Sequence, residues 1–76
     1  MSDDLQSYIV STPEINMGAV AGMLSLVGAW IDDMNNADGI VEIKTRIPRG
    51  EVIRFLEWLS TETSGRGSAE LHNLSE

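Results

Sequence analysis

Hydrophobic and polar positions change period midway along this chain, and the change marks what the rest is organised around. From Val41 onward they alternate: Val41, Ile43, Thr45 and Ile47 on one side, Glu42, Lys44 and Arg46 on the other. A period of two predicts a strand with one covered and one wet face. Pro48 has no amide donor and disfavours continuation of the strand, and Gly50 lets the backbone turn. From Val52 the apolar residues recur at helical spacing, as Val52, Phe55, Leu56 and Leu59, with Ile53 widening the stripe. Strand and helix each have one apolar side, so they are expected to fold against one another.

The flanking pattern is less regular. Tyr8, Ile9 and Val10 form a short β-prone run, long enough for one edge strand. Thr12, Pro13 and Glu14 form a helix start: a capping hydroxyl, a proline suited to the first helical position, and a carboxylate at the positive end of the dipole. Ile15, Ala19, Met23, Val27, Trp30, Ile31 and Met34 keep helical spacing, so one helix could run through 13–34. Gly18, Gly22 and Gly28 each cost about 1 kcal/mol relative to alanine in a helix interior. They favour a short turn at 13–16 and a helix near 18–27, ending at Gly28. Residues 32–39 (DDMNNADG) read as a loop. After Thr61, glycine, serine and charge dominate, which predicts a flexible tail with one helical turn near 69–74 on a partner.

Composition narrows the function. The chain has 76 residues, room for one small domain, and such a domain buries only about 60% of its unfolded surface. With no cysteine there is no disulfide or thiolate metal site, and small domains without staples lean on partners or on self-association. The net charge of −7 disfavours nucleic acid and anionic membranes, which leads to the expectation of a soluble cytoplasmic protein. Between Met17 and Ile31 no residue is charged, but a spanning helix needs about 20 apolar residues and at least about 17. That stretch is expected to be a buried helix. Asp3 and Asp4 stand where a signal peptide would be basic.

Catalytic patterns are missing. His72 lies in the expected tail, without a pocket or partner. A hydrolytic serine triad as usually built is not expected, and Gly65-Arg66-Gly67 lacks the lysine and the flanking elements of a phosphate loop. The acids of 32–39 suggest calcium, but placing Gly39 at the sixth loop position makes Met34 the first ligand. No metal, no cofactor and no enzymatic activity are expected. Gly18 and Gly22 allow close helix contact, read here as ordinary packing within the domain. Trp30 and Trp58 divide between core and interface, and Ile31 and Met34 near Trp30 predict a small apolar patch.

The order of these elements resembles the first half of the POZ fold, also called BTB, of the cullin-ligase adaptor type (elongin C and the S-phase-kinase-associated adaptor). The carrying residues are Tyr8-Ile9-Val10, then Ala21-Gly22-Met23-Leu24-Ser25, then the acidic loop, then Val41-Glu42-Ile43 with Ile47-Pro48 and Val52-Ile53-Arg54-Phe55-Leu56. The resemblance spans roughly residues 8–60. The family's second half, which receives substrate-receptor partners, has no counterpart. The resemblance implies an α+β protein: a small POZ-like half-fold with a short sheet packed on two or three helices. Its domain would be 8–62, between a flexible start at 1–7 and a flexible tail at 63–76. It also implies a protein–protein interaction module, a fragment or mimic of a cullin ubiquitin-ligase adaptor. By place in the pattern, Trp30, Ile31, Asp33, Met34 and Asp38 would bind the partner, either cullin-like or a second copy. A homo-oligomer or a hetero-complex is expected, with no nucleic acid and no membrane. The alternative is a small acidic phage or bacterial protein, acting as a homodimer or as the inhibitor of a larger complex.

Overall fold

The computed structural model describes residues 5–72. Strand β1 (Leu5–Pro13) leads through a 3-10 turn (Glu14–Asn16) into helix α1 (Met17–Leu26). Strands β2 (Trp30–Ala37) and β3 (Ile40–Pro48) follow, then a second 3-10 turn (Arg49–Glu51), helix α2 (Val52–Glu62) and strand β4 (Ser68–Leu71). The sheet is antiparallel in the order β2-β3-β1-β4. Both helices cover one face, and the other face is open.

The central pair carries the alternation. Val41, Ile43, Thr45 and Ile47 of β3 are buried, and their β1 partners include Val10, opposite Ile43, and Thr12, opposite Val41. Against them pack Val20 and Leu24 of α1 and Val52, Phe55 and Leu59 of α2. Trp58 is half-buried on this core, stacked on Phe55 with ring centroids 6.1 Å apart. The expected strand and helix at 40–59 are therefore present. The expected turn and helix at 13–27 are also found, as the 3-10 turn and α1.

Local chemistry fixes the ends. Helix α1 closes with Gly28 at φ +81: its N–H donates to the Ser25 carbonyl at 3.1 Å and that of Ala29 to Leu24 at 2.9 Å. This is the Schellman arrangement, which needs a left-handed residue after the helix. Helix α2 ends the same way through Ser64 and Gly65. Asp38 and Gly39 both have positive φ, the two-residue type I′ turn whose twist suits a hairpin. The three buried threonines have partners. Thr45 donates to the Trp30 carbonyl at 2.6 Å, Thr12 to the Pro13 carbonyl at 3.3 Å, and Thr63 to the Leu59 carbonyl at 2.7 Å.

Several expectations are corrected. Residues 32–39 are not a loop but most of β2 and its turn. Tyr8–Val10 belongs to a central strand, because β4 covers its far side. The strand at 40–47 has no open edge, since β1 and β2 flank it. The stretch after α2 is not a free tail as far as His72, for 68–71 pair with β1, and the helical turn expected near 69–74 is a strand as far as Leu71. Leu5–Ser7, expected to be flexible, are part of β1. The remaining expectations at the two ends, 1–4 and 73–76, lie outside the described residues. Among the described residues no helix is long and apolar enough to cross a membrane. The order strand, helix, strand, strand, helix, strand with β2-β3-β1-β4 is the ferredoxin-like arrangement. The α+β class stands, and the POZ-like half-fold does not.

Candidate functional site

The open side of the sheet collects side chains that the core does not use. Paired residues of antiparallel strands share a face, so the register lays rows across it, three of which carry its polar groups. Trp30, Arg46 and Ser7 form one, Asp33, Lys44, Ile9 and Glu70 the next, and Asn35, Glu42, Ser11 and Ser68 the third. The second and third of these rows, with Met34 at the edge, surround a hollow of about 320 Å³ lined by Ile9, Asp33, Met34, Asn35, Glu42 and Lys44.

A bulge shapes the upper corner. The β2 register shifts between Ile31 and Asp33, leaving Asp32 without a cross-strand partner. Asp32 turns to Arg46 instead, with Oδ1 accepting from Nη2 at 2.8 Å and Oδ2 from Nε at 3.0 Å. This two-pronged bond, and then the charge of Asp32, raise the Arg46 pKa above its ordinary value. Asp33 caps its neighbour, accepting from the Met34 N–H at 2.9 Å. Trp30 opens the strand and is 62% exposed.

The five residues expected to bind a partner do not form one patch. Trp30 and Asp33 stand on the open face, opposite Arg46 and Lys44. Ile31 and Met34 are opposite Thr45 and Ile43, whose side chains are buried under the helices, and at this edge strand Met34 also reaches the rim of the hollow. Asp38 is a turn residue. Ile9, Glu42, Lys44 and Glu70 belong with Trp30 and Asp33, and the sequence reading missed them. The wet alternation of Glu42, Lys44 and Arg46 was the signal available for three of the face's charges.

His72 donates its backbone N–H to the Ser7 carbonyl at 2.8 Å, which sets it beside Ser7 at the end of the β1–β4 ladder. Among the described residues no group of three or more His, Asp or Glu side chains could hold a metal ion.

Solved structures share this fold. A crystal structure of a protein from Thermus thermophilus superposes with a TM-score of 0.79 at 22% identity, covering 90% of this chain and 10% of that one. A crystal structure of a hypothetical protein superposes with a TM-score of 0.82 at 14% identity, covering 93% of this chain and 34% of the other. The chain thus spans only a part of the length of either. Residues 5–74 match the family described as Elongation factor G C-terminus. That match takes in the whole stretch behind the POZ resemblance and continues through β4, beyond where the resemblance stopped. It overturns the POZ assignment, the cullin-adaptor role that followed from it and the alternative of an unrelated small acidic protein. In sequence across 5–74 and in the order of its strands, this chain belongs to the Elongation factor G C-terminus family.

Proposed function

We propose that this chain is a docking domain that contributes binding rather than chemistry, seating the open face of its sheet on a protein partner that carries basic side chains. The observation that carries the reading is the make-up of that face. Trp30 is exposed at one corner, Ile9 lies at the centre, and Asp33, Glu42 and Glu70 outnumber Lys44 once Arg46 is engaged by Asp32. An aromatic anchor among an excess of carboxylates suits a partner with an apolar side chain flanked by lysine or arginine. The family takes its description from the end of a larger protein, which agrees with a part that positions or attaches.

Nucleic acid is the less favoured partner. RNA-binding sheets of this shape stack bases on aromatic residues of their central strands. The corresponding open-face positions here are Ser7, Ile9, Ser11, Glu42, Lys44 and Arg46, and the net charge is −7. Titration of the isotope-labelled chain with a short lysine- and arginine-rich peptide, followed by amide shifts, tests the reading. Shifts should cluster at Ile9, Trp30, Asp33, Glu42, Lys44 and Glu70 and fade as salt is raised. Shifts centred on the helices, or a response to an RNA oligonucleotide but not to the peptide, would overturn it.

A further inference from the structure

Helix α1 is apolar on more than the side it buries. Val20 and Leu24 face the core. On the outer side lie Ala19, Gly22 and Leu26, with Ile15 one turn ahead; Ile15 is 88% and Leu26 81% exposed. A helix that is hydrophobic all round is normally covered all round. Gly18 and Gly22 add a second observation. Each weakens the helix relative to alanine, neither has a positive φ, and a Cβ at either would meet nothing within 4 Å. The expectation that they serve packing within the domain is therefore corrected: among the described residues no neighbour needs their small size. A close approach from outside would.

The spacing selects the occupant. Ile15, Ala19, Gly22 and Leu26 are four, three and four residues apart, in the order large, small, small, large. That order reads the same from either end. A two-fold axis across the middle of α1 would set Ile15 of one copy against Leu26 of the other, and Ala19 against Gly22. A two-fold contact requires a surface that complements itself, and this one does. Charge bears on where copies could meet. Copies of a chain of net charge −7 repel one another, and α1 itself has no charged residue, with exposed Glu14 beside Ile15 the one charge at the end of the contact.

We propose that the outer face of α1 is a homodimer contact, with two copies packed antiparallel through Ile15, Ala19, Gly22 and Leu26. It is separate from the open sheet face, so both can be occupied together. A ten-residue helix is about 15 Å long, which makes a small interface, and the expected affinity is micromolar.

Sedimentation velocity on the full 76-residue chain tests this. The mass should rise with concentration from 8.3 kDa towards twice that value. Gly22→Leu has room within its own chain and removes a helix-weakening glycine, so at dilute concentration it should melt no lower than the parent. It should nevertheless weaken the dimer by about tenfold or more. The chain has no native cysteine, so mixing Ile15→Cys and Leu26→Cys chains under mild oxidation should give the mixed disulfide ahead of either like pair. Three results would each overturn the proposal. One is a parent that stays monomeric at high micromolar concentration, as it would if another protein or another part of a longer chain covered the face. The others are a Gly22→Leu dimer as tight as the parent's and a predominance of like-pair disulfides.

Discussion

Replacing Thr63 by valine should loosen the last strand while leaving the volume of the core almost unchanged. Thr63 is 3% exposed and holds two elements together. Its hydroxyl donates to the Leu59 carbonyl at 2.7 Å, one turn back in α2, and accepts from the Gly67 N–H at 2.7 Å, just before β4. Valine keeps the shape and removes both bonds. The Leu59 carbonyl retains the Thr63 N–H at 3.0 Å, so only the Gly67 donor is left without its acceptor. Leaving one buried donor unmade costs about 1–3 kcal/mol, and partial burial here puts the expected loss at about 1–2 kcal/mol. In a domain of this size each kcal/mol lowers the melting temperature by about 4–8 °C, so a fall of roughly 5–15 °C is expected. Thermal melts by circular dichroism measure the loss, and hydrogen exchange at the Gly67 amide locates it. Thr63→Ser keeps the hydroxyl and should keep Gly67 protected. If Thr63→Val melts with the parent and Gly67 stays protected, the hydroxyl is not what joins α2 to β4.

Three further outcomes are expected. Phe55→Ala should cost about 3–5 kcal/mol in urea melts, as a fully buried aromatic does, whereas Leu56→Ala, half-buried at the edge of the same helix face, should cost clearly less; equal losses would contradict the burial pattern. Gly39→Ala should cost about 1–2 kcal/mol, because its φ of +81 is a left-handed conformation that a Cβ resists, and an unshifted melting temperature would argue against the type I′ turn. Trp30→Ala should leave the melting temperature nearly unchanged and weaken binding of a basic peptide, while a large loss of stability would mean that Trp30 belongs to the core.

The elements that could be read from the sequence are those that bury one face of their own. Strand β3 alternates cleanly because one side meets both helices, and α2 shows its stripe because Val52, Phe55 and Leu59 all turn inward. Strand β2 gave no such pattern. Every residue of Trp30–Ala37 is exposed, so an edge strand wet on both sides looked like a loop. The Asp38-Gly39 pair was the missed signal, since that dipeptide favours a hairpin turn. Strand β4 is shorter still, and only Ala69 packs towards the core. It is a strand because β1 has an edge to offer, which no local pattern records. The binding residues were half legible for a related reason. Spacing brought Trp30, Ile31 and Met34 together, but strand alternation turns Ile31 away from Trp30, and the bulge at Asp32 pairs Met34 with Ile43 instead of keeping it in line with Trp30. The POZ resemblance failed because a succession of strands and helices carries little information about the order in which the strands pair.

That pairing order has a consequence for how the protein is made. The central strand β1 emerges first, yet its neighbours arrive late. Tyr8 pairs with Thr45 on one side and with Leu71 on the other. At about 5–20 residues per second, the roughly 60 residues between Tyr8 and Leu71 take about 3–12 s to synthesise. Throughout that interval one edge of β1 lacks its partner, and contacts so distant in sequence are slow to form even once the chain is complete. The nascent chain therefore passes through a stage in which β1, β2 and β3 can pair while the side reserved for β4 stands open, and in that interval a foreign strand could take its place.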